Sequence, residues 1–209
     1  MALPIKYTPL PSPAVATINY IDLAEGITIF NACTSENPGG VANDSLILTT
    51  GTPYSHLISL SGSISSLAAF SGSFDSGTLN RPLLLKGDAF VNMTWRVTNS
   101  SSSNQNYPFA SLRKWDGTTE TELVFVSGSI INSQSGTMFT TMMQFPTMAA
   151  TLIKAGEQIR LNVGVWAVDA GNSPRAHIAC DPQNRDNDWF TANNYDTTKL
   201  MLGLPTKIQ

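Results

Sequence analysis

The sequence predicts an all-β fold: an antiparallel β-sandwich, jelly-roll-like, preceded by an extended proline-rich N-terminal arm. Three observations predict it. Short stretches of alternating apolar and polar residues recur along the chain, which is the period of a half-buried strand. Gly, Pro, Asn and Asp interrupt them at intervals too short for helices. Long windows lack a helical period, apart from a short turn expected around 146–153.

The elements follow in chain order. Residues 1–16, "MALPIKYTPLPSPAVA", form the arm: Pro4, Pro9, Pro11 and Pro13 fix φ and remove backbone donors, so the stretch is extended rather than helical. Such an arm has little to hold it alone. A neighbouring subunit is expected to bind it through these prolines and Tyr7. Residues 17–209 form one β-sandwich domain, with strands expected near 27–32, 45–50, 55–65 and 89–98. Further strands are expected near 109–115, 119–127, 137–145, 157–168 and 198–203. Asp116-Gly117 marks a hairpin, because a tight turn demands positive φ. The strand at 157–168 is the plainest. Ile159, Leu161, Val163, Val165 and Ala167 take one face, and Gln158, Arg160, Asn162, Gly164 and Trp166 take the other. The segments 84–102 and 152–173 share a Lys, a Gly turn, an acid and a long alternating strand. They are either equivalent strands of two halves or two strands with the same common turn.

Composition narrows function. Apolar residues are 42% of the 209, ample for a core, while charged residues are only 13%, about half the usual share. A surface rich in Ser, Thr and Asn suits a protein covered by neighbours. A net charge of −3 argues against nucleic acid, which needs a clustered cationic face. No apolar run approaches the length that crosses a bilayer, and the proline-rich start lacks a signal peptide's apolar core. No membrane partner is therefore expected, and synthesis in a cytoplasm is. Cys33 and Cys180 are read as two buried thiols, with a pairing across the fold as the alternative.

Reactive residue types gather only in "RAHIACDPQNRDNDWF". His177 and Cys180, three apart on an expected strand, point to opposite faces and make a poor nucleophile–base couple. Asp186 and Asp188 are loop oxygen donors of the kind Ca²⁺ uses, but the spacing of a calcium loop is incomplete and Asx-turns are the preferred reading. Phosphate-loop, HExxH and GxSxG motifs are absent, and no pair among the fifteen acids is singled out for glycoside hydrolysis. A hydrolase with a cryptic carboxylate pair is the last of the readings, and no cofactor is expected. Aromatic residues remain: Trp115, Trp166 and Trp189 are candidate contact residues for a sugar ring or a protein partner. Cover by the chain's own loops is the other reading of Trp166.

The segments "FSGSFDSGTLNRPLLLKGDAFVNMTWRV" and "HIACDPQNR…TTKLMLGLPTKIQ" resemble pieces of small β-rich structural proteins of tailed bacteriophages. The shared features are an FD…NxP…KG approach to a long strand, a DPxxR loop, and an apolar-Pro-polar-apolar tail at 204–208. This resemblance implies a non-enzymatic virion structural protein, a capsid decoration (cement) protein that bridges neighbouring subunits. Its partners would be the major capsid protein or other virion subunits, its own state a homo-oligomer such as a trimer, and its location the virion. A carbohydrate- or receptor-binding module of a fibre or baseplate is the alternative.

Overall fold

The computed structural model describes residues 26–35, 45–66, 68–98, 105–132, 136–168, 174–185 and 197–207. The expected arm, 1–16, lies outside them. Fourteen strands and no helix occupy the described residues. In order these are β1 Ile27–Ser35, β2 Ser45–Thr49, β3 Ser59–Ser63, β4 Phe70–Ser76, β5 Leu83–Gly87, β6 Phe90–Thr98 and β7 Gln105–Trp115. Then come β8 Glu120–Ser127, β9 Ile131–Asn132, β10 Met138–Gln144, β11 Met148–Ile153, β12 Gln158–Ala167, β13 Arg175–Ala179 and β14 Leu200–Lys207. The fold is thus all-β, with a large and mostly antiparallel sheet. Its hydrogen-bonded path runs β3-β13-β6-β14-β1-β2-β4-β12-β7-β8. Among the described residues the one parallel pairing, β2 with β4, spans only Ile47↔Asp75 and Leu48↔Ser76.

The alternation in β12 resolves as expected. Ile159, Leu161, Val163, Val165 and Ala167 are all fully buried. From β6, Val91, Met93, Trp95 and Val97 are buried equally, and both rows enter one hydrophobic cluster. Each large aliphatic side chain so buried contributes about 1.5–3 kcal/mol of transfer free energy. Thr141 accepts the Trp95 indole N–H at 3.0 Å, so the largest core side chain keeps its donor satisfied. Segments 84–102 and 152–173 hold the two core strands β6 and β12, and the short strands that precede them, β5 and β11, pair with each other.

Two expectations are corrected. Residues 148–153 form strand β11 rather than a helical turn, with Leu84↔Leu152 and Leu83↔Ile153 in register and a bulge between Met148 and Thr151. The β7–β8 hairpin has a four-residue loop, Asp116 to Thr119, in which only Gly117 takes positive φ (99°). Asp116 Oδ1 accepts from the N–H groups of Thr118 at 2.9 Å and Thr119 at 2.6 Å, which holds its carboxyl below the usual range. Strands β4 and β5, by contrast, carry no strong sequence signal, because Ser and Gly fill β4 and β5 is short.

Candidate functional site

The outward side of β4-β12-β7-β8 brings together residues that are far apart in sequence. Register places Asp75, Arg160, Arg113 and Glu122 in one row across four strands. Trp115 lies between Gln158 and Glu120 in the row beside it. Arg160 grips Asp75 with both ends of its fork, Nε to Oδ1 at 2.6 Å and Nη2 to Oδ2 at 2.7 Å. That grip raises the guanidinium pKa. Its third nitrogen approaches Glu120 Oε1 at 3.5 Å, and its plane lies 5.0 Å from the Trp115 ring centroid. Arg113 meets Glu120 at 3.3 Å and Glu122 at 3.5 Å. Ser111 Oγ donates to Glu122 Oε2 at 2.7 Å and accepts from Arg113 Nε at 2.9 Å. Asn162 donates to Ser73 Oγ at 2.9 Å, extending the polar rows toward β4. The result is a fixed ladder of ion pairs and hydroxyls whose bidentate core is strong and directional. Asp75 Oδ1 and Oδ2, Glu120 Oε1 and Glu122 Oε2 are each met by a guanidinium nitrogen of Arg160 or Arg113.

Farther along the same side the surface turns aromatic. Trp166 lies opposite Tyr107, and Phe109 opposite Gly164, where the absence of a side chain leaves room for the ring. Phe125 stacks on Phe109 with centroids 5.9 Å apart and is 46% exposed. Trp115 and Trp166 are half-buried. The parity that places Trp166 on this side is readable from the alternation of β12. The ladder is not, because Arg160 and Asp75 stand 85 positions apart.

The remaining candidates fall elsewhere. Asp181 is fully buried and ties its own loop: it accepts from the N–H groups of Gln183 at 3.1 Å and Arg185 at 2.7 Å, and from Arg185 Nε at 3.0 Å. Arg185 also donates to the Ser55 carbonyl and lies 4.2 Å from the centroid of the Tyr54 ring. The DPxxR stretch is therefore a structural clasp. His177 is buried on β13, and its Nε2 stands 3.1 Å from Thr98 Oγ1. Burial, aided by the cations of Arg96 and Arg175, pushes it down to about 4. Cys33 and Cys180 are free buried thiols, both pushed up chiefly by burial, Cys33 to about 11. Among the described residues no cluster of His, Cys, Asp and Glu is placed to hold a metal ion. Pro4, Tyr7, Pro9, Pro11, Pro13, Asp186, Asp188 and Trp189 lie outside the described residues.

No protein-family model matches the sequence, and neither does any curated protein. The fold does have solved counterparts. An alpha-amino acid ester hydrolase aligns over 86% of this chain and 36% of its own, with TM-score 0.58 and 9% identity. An aminopeptidase from a marine sediment archaeon, Thaumarchaeota archaeon, aligns over 86% of this chain and 37% of its own, with TM-score 0.57 and 7% identity. The chain thus spans about a third of the length of these hydrolases, and at such identities the likeness is one of fold. The VP2 subviral particle of infectious bursal disease virus reaches a TM-score of only 0.27, which carries no argument.

These findings correct the reading drawn from phage structural proteins. The folds that superpose are those of hydrolases. A capsid decoration protein, its fibre or baseplate alternative, the capsid partners, the virion location and the non-enzymatic assignment all fall with that resemblance. The physical reason is that weakly charged, Ser- and Thr-rich strands report a covered β-surface, and a β-unit within a larger enzyme is covered as thoroughly as one in a particle.

Proposed function

We propose that the protein works in the hydrolysis of ester or amide bonds of amino-acid substrates, as the jelly-roll-like β-sandwich module of such an enzyme. The observation that carries this reading is the superposition of 86% of the chain on an alpha-amino acid ester hydrolase at TM-score 0.58. The aminopeptidase shares the same relation, and both names join hydrolysis to amino acids. In this reading the described strands form a rigid wall, and the bond-breaking groups come from outside the described residues. The surface holding Trp115, Trp166 and the Arg160 ladder faces that catalytic unit. Half-buried tryptophans and a fixed arginine are the residue types that dominate interface energetics, and a preformed ladder loses little entropy on docking.

The test compares two preparations of the full chain, one tagged and recovered natively from its source, the other made recombinantly. Each is incubated with an α-amino acid p-nitrophenyl ester and an α-amino acid p-nitroanilide. Native material is expected to release p-nitrophenol or p-nitroaniline, and Trp166→Ala is expected to lower the recovered activity about tenfold or more. Absence of hydrolysis from both preparations would overturn the reading.

A further inference from the structure

The outward side of β12, β7 and β8 ends in a group of rings. Trp166 lies opposite Tyr107, and Phe109 opposite Gly164. Phe125 lies opposite Ser111 and stacks on Phe109. Phe125 and the nearby Val168 are exposed, while Tyr107 and Trp166 are half-buried. From Asn162 to Val168 the outward rows of β4, β12, β7 and β8 carry no charged side chain among the described residues. This part of the wall is therefore aromatic and neutral, in contrast to the ladder at its Arg160 end. An exposed apolar patch of this kind marks a surface that something covers.

The chain itself holds a segment of matching chemistry. Residues 1–16, which lie outside the described residues, contain Pro4, Pro9, Pro11 and Pro13, and Lys6 is their one charged side chain. Aromatic surfaces take proline-rich segments because the extended form is preset and little entropy is lost on docking.

The segment is also long enough. Cys33, Ile47, Asp75 and Arg160 stand in one row, and the pairings between them make β1 run in the same direction as β12. Ile27 stands six residues before that row and Trp166 six residues after it. They are thus separated by roughly 40 Å along the strands and roughly 14 Å across them. Residues 17–25 span about 30 Å when extended. About four more residues, at roughly 3.1 Å each, bring Pro13 to Trp166. Pro11, Pro9, Tyr7 and Pro4 remain to cross the rings.

We propose that residues 4–13 dock on the patch formed by Tyr107, Phe109, Phe125 and Trp166 of the same chain. The inference does not rest on hydrolysis, and its test reads contact alone. A catalytic unit docking on this wall would displace the segment.

The full chain is made with p-benzoylphenylalanine in place of Tyr7, irradiated, digested and read by mass spectrometry. Cross-links are expected within one chain, to the segments that carry the four rings, with a yield that dilution leaves unchanged. Phe125→Ser, at an exposed position, is expected to lower that yield about fivefold or more. Pro9→Gly, Pro11→Gly and Pro13→Gly together, which leave the folded strands untouched, are expected to lower it as much. Absence of these cross-links, their formation only between chains, or a yield that survives the three proline replacements would overturn the proposal, whether or not Phe125→Ser folds.

Discussion

Folded stability should fall on mild acidification because of His177. Its ring is 3% exposed, contacts Thr98 and sits near Arg96 and Arg175. The folded chain therefore refuses a proton until about pH 4, while the unfolded chain accepts one near 6.5. Between those values the unfolded state binds more protons, so stability is complete above 6.5 and is lost as pH falls toward 4. At about 1.4 kcal/mol per unit, the full loss is on the order of 3 kcal/mol, and about 2 kcal/mol is gone by pH 5. Urea unfolding at pH 7.5 and 5.0 measures this, with His177→Gln as the reference. Titrations elsewhere in the chain are common to both proteins and cancel in the difference. The variant should show a drop about 2 kcal/mol smaller between the two pH values. Equal drops, within about 0.5 kcal/mol, would refute the reasoning.

Other outcomes follow from the same geometry. Arg160→Gln should cost only about 1 kcal/mol in urea unfolding, because Arg160 and Asp75 side chains are 20% and 32% exposed and solvent screens their pairing. Arg160→Lys should recover less than half of that, having lost both the fork and the contact with Trp115. Gly164→Ala should lower stability by about 1–3 kcal/mol, since its Cβ would meet the Phe109 ring and stand 2.6 Å from the Phe70 carbonyl oxygen. Gly77→Ala, where nothing lies within 4 Å, should be nearly neutral in the same urea unfolding. Iodoacetamide at pH 8 should alkylate native Cys33 at least about a hundredfold more slowly than an ordinary cysteine. Both thiols should react in urea, and labelling of the native protein at the unfolded rate, read by mass spectrometry, would contradict their burial.

Much of the fold was legible in the sequence wherever alternation and side-chain size agree. β12 and β6 show large aliphatic or aromatic residues at every second position, and those positions form the core. β4 escaped because its inward row is Phe70, Gly72, Phe74 and Ser76, in which only two residues are large. β11 escaped because Ala149 and Ala150 read as helix formers, and only pairing with β5 makes the segment a strand. The candidate surface was legible only as Trp115 and Trp166. Joining them to Arg160, Asp75, Glu120 and Glu122 requires the register of four strands, which local pattern does not carry. The resemblance to virion proteins failed because turn motifs such as DPxxR report loop mechanics. Asp181 and Arg185 close a loop in this way, and the same clasp serves unrelated folds.

The place of β14 sets a timetable for biosynthesis. It fills the slot between β1 and β6, and its register joins Ile27 to Pro205. Thr28 and Thr206, whose hydroxyls meet at 2.7 Å, are 178 positions apart. At ribosomal rates of about 5–20 residues per second, β1 emerges on the order of ten to thirty seconds before its partner. During that interval the β1 edge from Ile27 to Ala32 lacks its partner. Closure of the middle of the molecule therefore waits for β14, however early the β7–β8 hairpin forms. A chaperone that covers this edge during the interval would act on yield through this one late strand.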